Sequence, residues 1–400
     1  MVSNPWTRSQ RDPHSPSRLV ATTARLCHTS RLRSASIIQL LLTFSLAAAA
    51  HAGQAARDLT SGDAIYHAGC AGCHGPNGAG APDTTVGFDK PETFPDFSDC
   101  ATTTPEQDVD WRATIRDGGR GRGFSRIMPA FGEQLTPVQI DAVIAHLRGL
   151  CRDNGWPRGE LNLPRPLATE KAFPESETII TTAVGAHRAP DVSHTIVYEK
   201  RHGARNQIEV SVPMAALHGE TGAIARGVGD VGVGFKRVLL ASSRSILSAQ
   251  GEIVLPTGNR DKGLGNGVTV FEAFASFGQL LPSQMFLQAQ AGAEQPTSTH
   301  EVPRAVFVRT ALGRSFRQER GVGRIWSPMF ELIADRELDD GARTDVDVMP
   351  QVQVSLNRRQ HIRVSAGVQI PASNRMGRSK QIVFYVLWDS FDGGVTDGWK

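Results

Sequence analysis

Two cysteines and a histidine stand close together in the stretch HAGCAGCHGPNGAG, residues 67–80. Cys70 and Cys73 are separated by two residues, and His74 follows directly. Thiols at this spacing can form thioether bonds to the two vinyl groups of one haem, and the adjacent imidazole can then ligate the iron. The spacing predicts one covalently bound haem c, with Cys70 and Cys73 as tethers and His74 as the proximal iron ligand.

Two other uses of a Cys-x-x-Cys pair compete with this interpretation. A thioredoxin-like redox pair does not need the following histidine, and it usually lies in a βαβ context that is absent from this sequence. A zinc knuckle needs two more ligands at metal spacing, whereas Cys100 and Cys151 are isolated. The pattern therefore favours haem.

Helical patterns flank the motif on both sides. In TSGDAIYHAG, Ser61 can cap a helix that ends at the first cysteine. Residues 135–150 predict a second helix, with Thr136 as N-cap and Pro137 in the first turn. Its apolar side chains recur at helical spacing, at Ile140, Val143, Ile144 and Leu147. Two helices joined by loops are enough to enclose a haem within about a hundred residues.

Over roughly residues 58–150 the sequence resembles a class I c-type cytochrome. In that family a methionine in the loop before the last helix is the sixth iron ligand, and Met128 stands directly before Pro129 in RIMPAFGEQLT. The resemblance thus implies Met128 as the distal ligand. His67, expected on the outer face of the first helix, and His146, expected to be solvated, are rival ligands. Two filled axial positions indicate electron transfer rather than catalysis.

Four arginines, Arg116, Arg120, Arg122 and Arg126, precede the methionine loop. They form either a solvated loop or a group that steers an acidic partner or compensates the haem propionates.

Cys100 and Cys151 form an even pair in an exported chain, which predicts a disulfide closing a loop of about 50 residues.

Residues 1–52 have the features of a signal peptide. Several arginines precede the apolar run 37–50, and Ala50-His51-Ala52 has the small-x-small form of a cleavage site. An uncleaved membrane anchor is the alternative, although the run is short of the roughly 20 residues that span a bilayer. We expect an exported mature chain with a haem domain at 53–152, a proline-rich linker or surface strap at 153–175, and a third region at 176–400.

Alternating polar and apolar residues fill the third region. About twelve segments of this kind lie between residues 176 and 391, for example HIRVSAGVQI at 361–370. Two all-β architectures fit: an antiparallel barrel of about twelve strands in the outer membrane, or a soluble β-sandwich. The stretch GVGDVGVGFKRVLL, with GEIVLPTGN after it, resembles transporter-like outer-membrane barrels attached to phenol-degradation pathways. Strand length and export favour the barrel, and the low tyrosine content counts against it.

These features predict a multidomain protein, a small all-α cytochrome c domain followed by an all-β antiparallel domain. Its function would be single-electron transfer through one haem c, without enzymatic activity, using a periplasmic redox partner protein. A net charge of +3 over 400 residues gives no reason to expect nucleic acid. Two alternatives stay open. One is similarity to fused cytochrome–porins that oxidise extracellular ferrous iron, and the other is an outer-membrane transporter with an accessory haem domain.

Overall fold

The computed structural model describes residues 59–91, 94–186, 191–218, 223–317 and 322–399, all within one compact unit. The predicted signal peptide at 1–52 lies outside the described residues. Within the described ranges no helix is both long and apolar enough to cross a membrane.

Helices and loops make up the first part of the described chain. The α-helices are α1 (Gly62–Gly69), α2 (Ala71–His74), α3 (Cys100–Thr103), α4 (Asp108–Asp117) and α5 (Pro137–Leu150). Short 3-10 turns lie at Gly119–Arg122 and Gly159–Leu161.

The helices at the two ends of this part pack against each other. The Ser61 hydroxyl accepts from the amide of Ala64 and begins α1, while Thr136 and Gln139 form a reciprocal capping box at the start of α5. The predicted caps and the buried apolar stripe of α5 are thereby confirmed. Gly62 lies at the crossing, because a Cβ there would come within 1.9 Å of the Ala142 carbonyl oxygen. This close packing brings the cysteine motif beside α5.

Antiparallel strands make up the rest of the described chain. They are β1 (Glu177–Gly185), β2 (Val192–His202), β3 (Asn206–His218), β4 (Ile224–Val228), β5 (Val231–Ala241), β6 (Ser245–Leu255), β7 (Val270–Leu280), β8 (Met285–Pro296), β9 (Ala305–Arg314), β10 (Trp326–Glu337), β11 (Asp345–Ser355), β12 (Ile362–Pro371) and β13 (Gln381–Asp389).

The sheet closes on itself. Neighbouring strands pair in chain order from β5 to β13, β13 pairs with β1, β1 with β2, β2 with β3, and β3 with β5. The described strands thus form a twelve-stranded antiparallel barrel, and β4 adds only to the far end of β3. The predicted barrel is confirmed and the sandwich alternative is wrong. Alternation alone could not separate the two, because both need one polar and one apolar face.

Apolar side chains face outward and polar side chains face the lumen. Phe330 and Ile382 are each 50 % exposed on the outside, whereas Glu331 and Gln290 are 0 % and 2 % exposed. A soluble barrel would show the opposite arrangement, because its apolar face would form the core. The barrel is therefore of the outer-membrane type.

The two ends of the barrel differ in their connections. At one end, called here the turn end, four links are short, at 203–205, 242–244, 281–284 and 356–361, and the link at 315–325 is longer. Strand β1 begins and β13 finishes at this end. The helical part lies here too, since Arg359 of one link donates hydrogen bonds to the Gly123 carbonyl oxygen at 3.2 and 3.1 Å.

The segment expected to be a linker or surface strap, 153–175, enters the barrel. From Leu161 to Glu175 most of its side chains are buried. Leu163 packs against Phe286 and Met329, and Leu167 packs against Tyr385. Proline content indicated an irregular backbone, but it could not show that the lumen wall would supply the hydrogen-bond partners.

Candidate haem site

The cysteine motif forms one tight helical turn at the end of α1. The amides of Cys73 and His74 both donate to the Cys70 carbonyl oxygen, at 3.1 and 2.9 Å. The chain then folds back, as the Gly80 amide donates to the His74 carbonyl oxygen at 2.8 Å. Gly75 makes this reversal with a φ of +75°, and a Cβ there would lie 2.7 Å from the Gly80 oxygen. The turn places both thiols and the imidazole on the wall of one cavity.

The two motif cysteines are free thiols in the structure, with no disulfide between them. Burial, followed by the neighbouring Cys73, raises the pKa of Cys70 to about 11. Both cysteines line the cavity as free thiols, as thioether bonds to a haem there would require.

The imidazole of His74 is held by aromatic rings. It stacks on Phe94 with ring centres 4.9 Å apart and lies 5.1 Å from Phe97. Its Nδ1 is buried and has no hydrogen-bond partner among the described residues. Burial also lowers the pKa of His74 to about 4, so the ring is neutral at physiological pH. A neutral, partnerless imidazole is costly unless it binds something, and it is the form that ligates metals.

Met128 reaches the same cavity from the loop between α4 and α5. Gly118 and Gly119 shape this loop, and the Gly119 amide donates to the Met128 carbonyl oxygen at 3.1 Å. A Cβ at Gly119 would lie 2.0 Å from the Ser125 oxygen, so a larger residue would displace the loop. Met128 thus lines the same cavity as His74.

The cavity has a volume of about 420 Å³ and two chemically different ends. Most of its wall is apolar and aromatic, as at Phe88, Phe94, Phe97, Trp111, Ile115 and Leu147. The other end carries Glu106, Asp110, Arg122 and Asp392. The apolar wall suits a flat macrocycle such as a porphyrin, and Arg122 is the cation at the polar end that could compensate a haem propionate among three carboxyl groups. The residues present therefore suit a haem.

Asp392 and its neighbour Phe391 follow strand β13, so residues from the far end of the chain complete the cavity. Sequence reasoning did not identify them. Nothing near them in sequence resembles a haem motif, and their role depends on the barrel closing beside the helices. The aromatic residues in FDKPETFPDF were equally hard to assign, because only the fold brings them to His74.

The four predicted arginines separate in the structure. Arg122 is 3 % exposed, lines the cavity, and pairs with Asp110 at 3.0 Å. Arg120 and Arg126 are exposed, and Arg116 pairs with Asp117 outside the cavity wall. Only Arg122, among the four, is placed to meet a carboxylate inside the cavity.

The rival ligands lie away from the cavity wall. His67 is exposed and faces Asp63, as expected for the outer face of α1. His146 was expected to be solvated, but its side chain is only 17 % exposed because it packs on the ring of Tyr66.

Cys100 and Cys151 are joined by a disulfide bond that links α3 to the end of α5.

Comparisons with known proteins divide the chain in the same way. The family described as "Cytochrome C oxidase, cbb3-type, subunit III" matches residues 57–147. Residues 57–147 are a c-type cytochrome domain, and such a domain carries covalently bound haem c. The chain thus contains a c-type cytochrome domain at residues 57–147, followed by a closed twelve-stranded barrel of the outer-membrane type.

Several solved barrels are similar to the second part. The COG4313 outer membrane channel from Pseudomonas putida F1 is 16 % identical, with a TM-score of 0.38, covering 56 % of this chain and 99 % of that one. The KdgM porin is 7 % identical, with a TM-score of 0.38 and coverage of 53 % and 98 %. The NanC porin is 5 % identical, with a TM-score of 0.39 and the same coverage. No curated protein matches the chain.

Proposed function

We propose that this protein is an exported electron carrier whose single haem c is fixed at the turn end of an outer-membrane barrel. The observation that carries the proposal is the shared cavity of His74 and Met128, one with a partnerless buried ring nitrogen and the other with a thioether. When bound, haem c takes up and releases one electron at its iron.

The residues of the cavity have separate tasks in this proposal. Cys70 and Cys73 would tether the haem covalently, and His74 and Met128 would supply the ligands of its iron. Phe94 and Phe97 hold the imidazole plane and exclude water from it. A soft thioether ligand favours ferrous iron and raises the reduction potential above that of a bis-histidine site. Ligation by both His74 and Met128 would leave no iron position for a substrate, which favours electron transfer.

Location in the outer membrane follows from the apolar outer face and the polar lumen. In such barrels the short turns face the periplasm. The cytochrome domain packs at the turn end, which would place its haem in the periplasm. The proposed partner is therefore a periplasmic redox protein that delivers or removes single electrons.

A double Cys70→Ser/Cys73→Ser variant tests the haem assignment. Haem staining of the denatured wild-type band should be positive, and the variant band should be unstained, since the thioether bonds are lost. A His67→Gln variant, altered on the exposed face of α1, should keep the stain. An unstained wild-type band would refute the proposal. Heat-modifiable gel mobility of the same band, recovered in the outer-membrane fraction, tests the barrel.

Oxidation of extracellular ferrous iron is a second candidate, favoured by one observation. Glu252, Glu272 and Glu294 are directly opposite one another on adjacent strands, towards the other end of the barrel, where a cation could collect. Ferrous iron added to intact cells should then reduce the haem, and Glu272→Gln should slow the reduction. Reduction only after the outer membrane is permeabilised would favour the electron carrier with a periplasmic partner.

A further inference from the structure

Residues 161–176, called here the lumen segment, lie inside the barrel between the cytochrome domain and β1. They contact strands on opposite sides of the wall: Gln207 of β3 accepts from the Glu175 amide at 2.7 Å, and Glu331 of β10 accepts from the Leu167 amide at 2.8 Å. In the closed order of strands, β3 and β10 are half a circumference apart. The segment therefore crosses the lumen rather than following one side of it.

Wall side chains satisfy the backbone of the lumen segment. The carboxylate of Glu331 accepts from three successive amides, those of Leu167, Ala168 and Thr169, and from the Thr169 hydroxyl. Gln353 and the Tyr385 hydroxyl donate to the Arg165 carbonyl oxygen. Buried backbone groups without partners are costly, so this pattern fixes an irregular segment in one position.

Opposite charges join the lumen segment to the wall. The guanidinium of Arg165 lies 2.9 Å from Glu177 and 2.8 Å from Glu199, two wall carboxylates that are fully buried. Lys171, 1 % exposed, pairs with Glu175 and lies 3.7 Å from Glu177. Removal of these cations would leave buried carboxylates without compensation.

Apolar side chains fill the remaining space on the turn-end side. Leu161 and Phe173 form a buried cluster with Val238 of β5 and Ile246 of β6. Leu163 forms another with Phe286 and Met329. The lumen segment is thus held by the barrel wall in three ways, through hydrogen bonds to its backbone, ion pairs with its side chains and apolar packing.

We propose that the lumen segment is a plug that closes the barrel to diffusion, so that the barrel holds the cytochrome domain in the membrane and is not an open pore. The wall around the plug carries Glu177, Glu199, Glu209 and Glu331 against Lys236 and Arg309, and Glu252, Glu272 and Glu294 lie further along it. A barrel from which the plug is displaced would therefore conduct cations in preference to anions. The plug also separates the carboxylates nearer the other end from the haem cavity.

Conductance in planar lipid bilayers tests the plug, using the purified holoprotein. Wild type should give no stable single-channel steps. Arg165→Glu places a fourth carboxylate beside Glu170, Glu177 and Glu199, which should expel the segment and give cation-selective steps. Arg260→Glu is the matched control, because Arg260 pairs with Glu301 at an exposed site in the loops. The proposal would be overturned if the wild-type protein gave single-channel conductance steps equal to those of Arg165→Glu.

Thiol labelling provides a second measurement that does not depend on conductance. Thr169→Cys, at a side chain 2 % exposed, should react with a water-soluble methanethiosulfonate roughly 100-fold more slowly than Thr299→Cys in an exposed loop. Adding Arg165→Glu should remove this protection. Equal labelling of the two cysteines in otherwise wild-type protein would contradict the plug. The plug would also be contradicted if the Arg165→Glu protein is folded, as judged by heat-modifiable mobility, and is labelled at the thiol introduced by Thr169→Cys, but conducts no ions.

Discussion

Arg359 donates two hydrogen bonds to the carbonyl oxygen of Gly123, from Nε at 3.2 Å and from Nη2 at 3.1 Å. Arg359 belongs to the link between β11 and β12, and Gly123 lies in the loop that leads to Met128. Arg122 returns the contact by donating to the Arg359 carbonyl oxygen at 3.3 Å. The cytochrome domain and the barrel are therefore joined by hydrogen bonds from arginine side chains to backbone carbonyl oxygens beside the haem cavity.

Replacing this arginine should loosen the junction. Arg359→Ala leaves the Gly123 oxygen without its donors, and we expect a loss of roughly 1–3 kcal/mol in the free energy of unfolding of the cytochrome domain. Thermal unfolding followed by the haem absorbance measures the effect, while heat-modifiable mobility reports on the barrel. Arg358→Ala, at the exposed neighbouring side chain, should change neither signal. An unaltered Tm in Arg359→Ala would refute this role.

Exchange of the proposed distal ligand should change the reduction potential. Met128→His replaces a soft thioether with an imidazole, which stabilises ferric iron. The midpoint potential should fall by on the order of 0.1–0.2 V, within the roughly 0.8 V range set by axial ligands. Potentiometric titration measures it. The control is Met376→His, at a methionine 96 % exposed in a barrel loop. Equal potentials in all three proteins would exclude Met128 as a ligand.

The disulfide between Cys100 and Cys151 should stabilise the cytochrome domain. It closes a loop with a sequence separation of 51 residues, for which the chain-entropy estimate is about 4 kcal/mol. A Cys100→Ser/Cys151→Ser variant should unfold at a lower denaturant concentration by that free energy, measured by the haem absorbance. Reduced wild type should behave like the variant, and a variant as stable as oxidised wild type would contradict the estimate.

Stability should depend on pH through the carboxyls at the polar end of the cavity. Burial raises the pKa of Glu106, and the nearby carboxylate of Asp110 raises it further. Burial likewise raises the pKa of Asp392, and the neighbouring Glu106 adds to this shift. The positive charge of Arg122 opposes both shifts. The folded protein therefore holds protons that the unfolded chain releases. The stabilisation is full below the ordinary glutamic pKa of 4.5 and is lost as the pH rises through the raised pKa.

A series of Tm measurements from pH 4 upward tests this sign. Wild-type Tm, followed by haem absorbance, should fall with rising pH, and Glu106→Gln should flatten the dependence because the amide does not titrate. Glu133→Gln, at an exposed residue outside the cavity wall, should keep the wild-type slope. A Glu106→Gln protein with the wild-type slope would show that other groups are responsible.

The crossing of α1 and α5 should tolerate no side chain at Gly62. Gly62→Ala must separate the helices, since the new Cβ would overlap the Ala142 carbonyl oxygen, and overpacking of this kind costs about 1–3 kcal/mol. Gly149→Ala is the matched control: it lies in α5 with open space around it and should gain up to about 1 kcal/mol of helix propensity. Denaturant unfolding of both variants measures the difference, and equal changes would disprove the steric argument.

Local signals in the sequence were enough to identify the haem motif, α5 and the alternating strands. Cys70, Cys73 and His74 are close together in the chain, and the stripe of α5 is set by helical periodicity alone. Alternation in β1–β13 predicted strands but not their closure, which depends on the pairing of β2 with β3. The lumen segment had no signal of its own, because Arg165 and Thr169 are satisfied by residues of distant strands such as Glu199 and Glu331. The polar end of the cavity escaped prediction for the same reason, since Asp392 is brought there by the barrel.

The short distance between Cys151 and the buried Leu161 limits how far the redox centre can travel. The ten residues from one to the other span at most about 35 Å when fully extended, even if every contact at the junction breaks. The disulfide fixes Cys151, at one end of this connecting segment, to the cytochrome domain, and the barrel encloses Leu161 at its other end. Electron exchange over a larger distance therefore requires the partner protein to diffuse to the membrane.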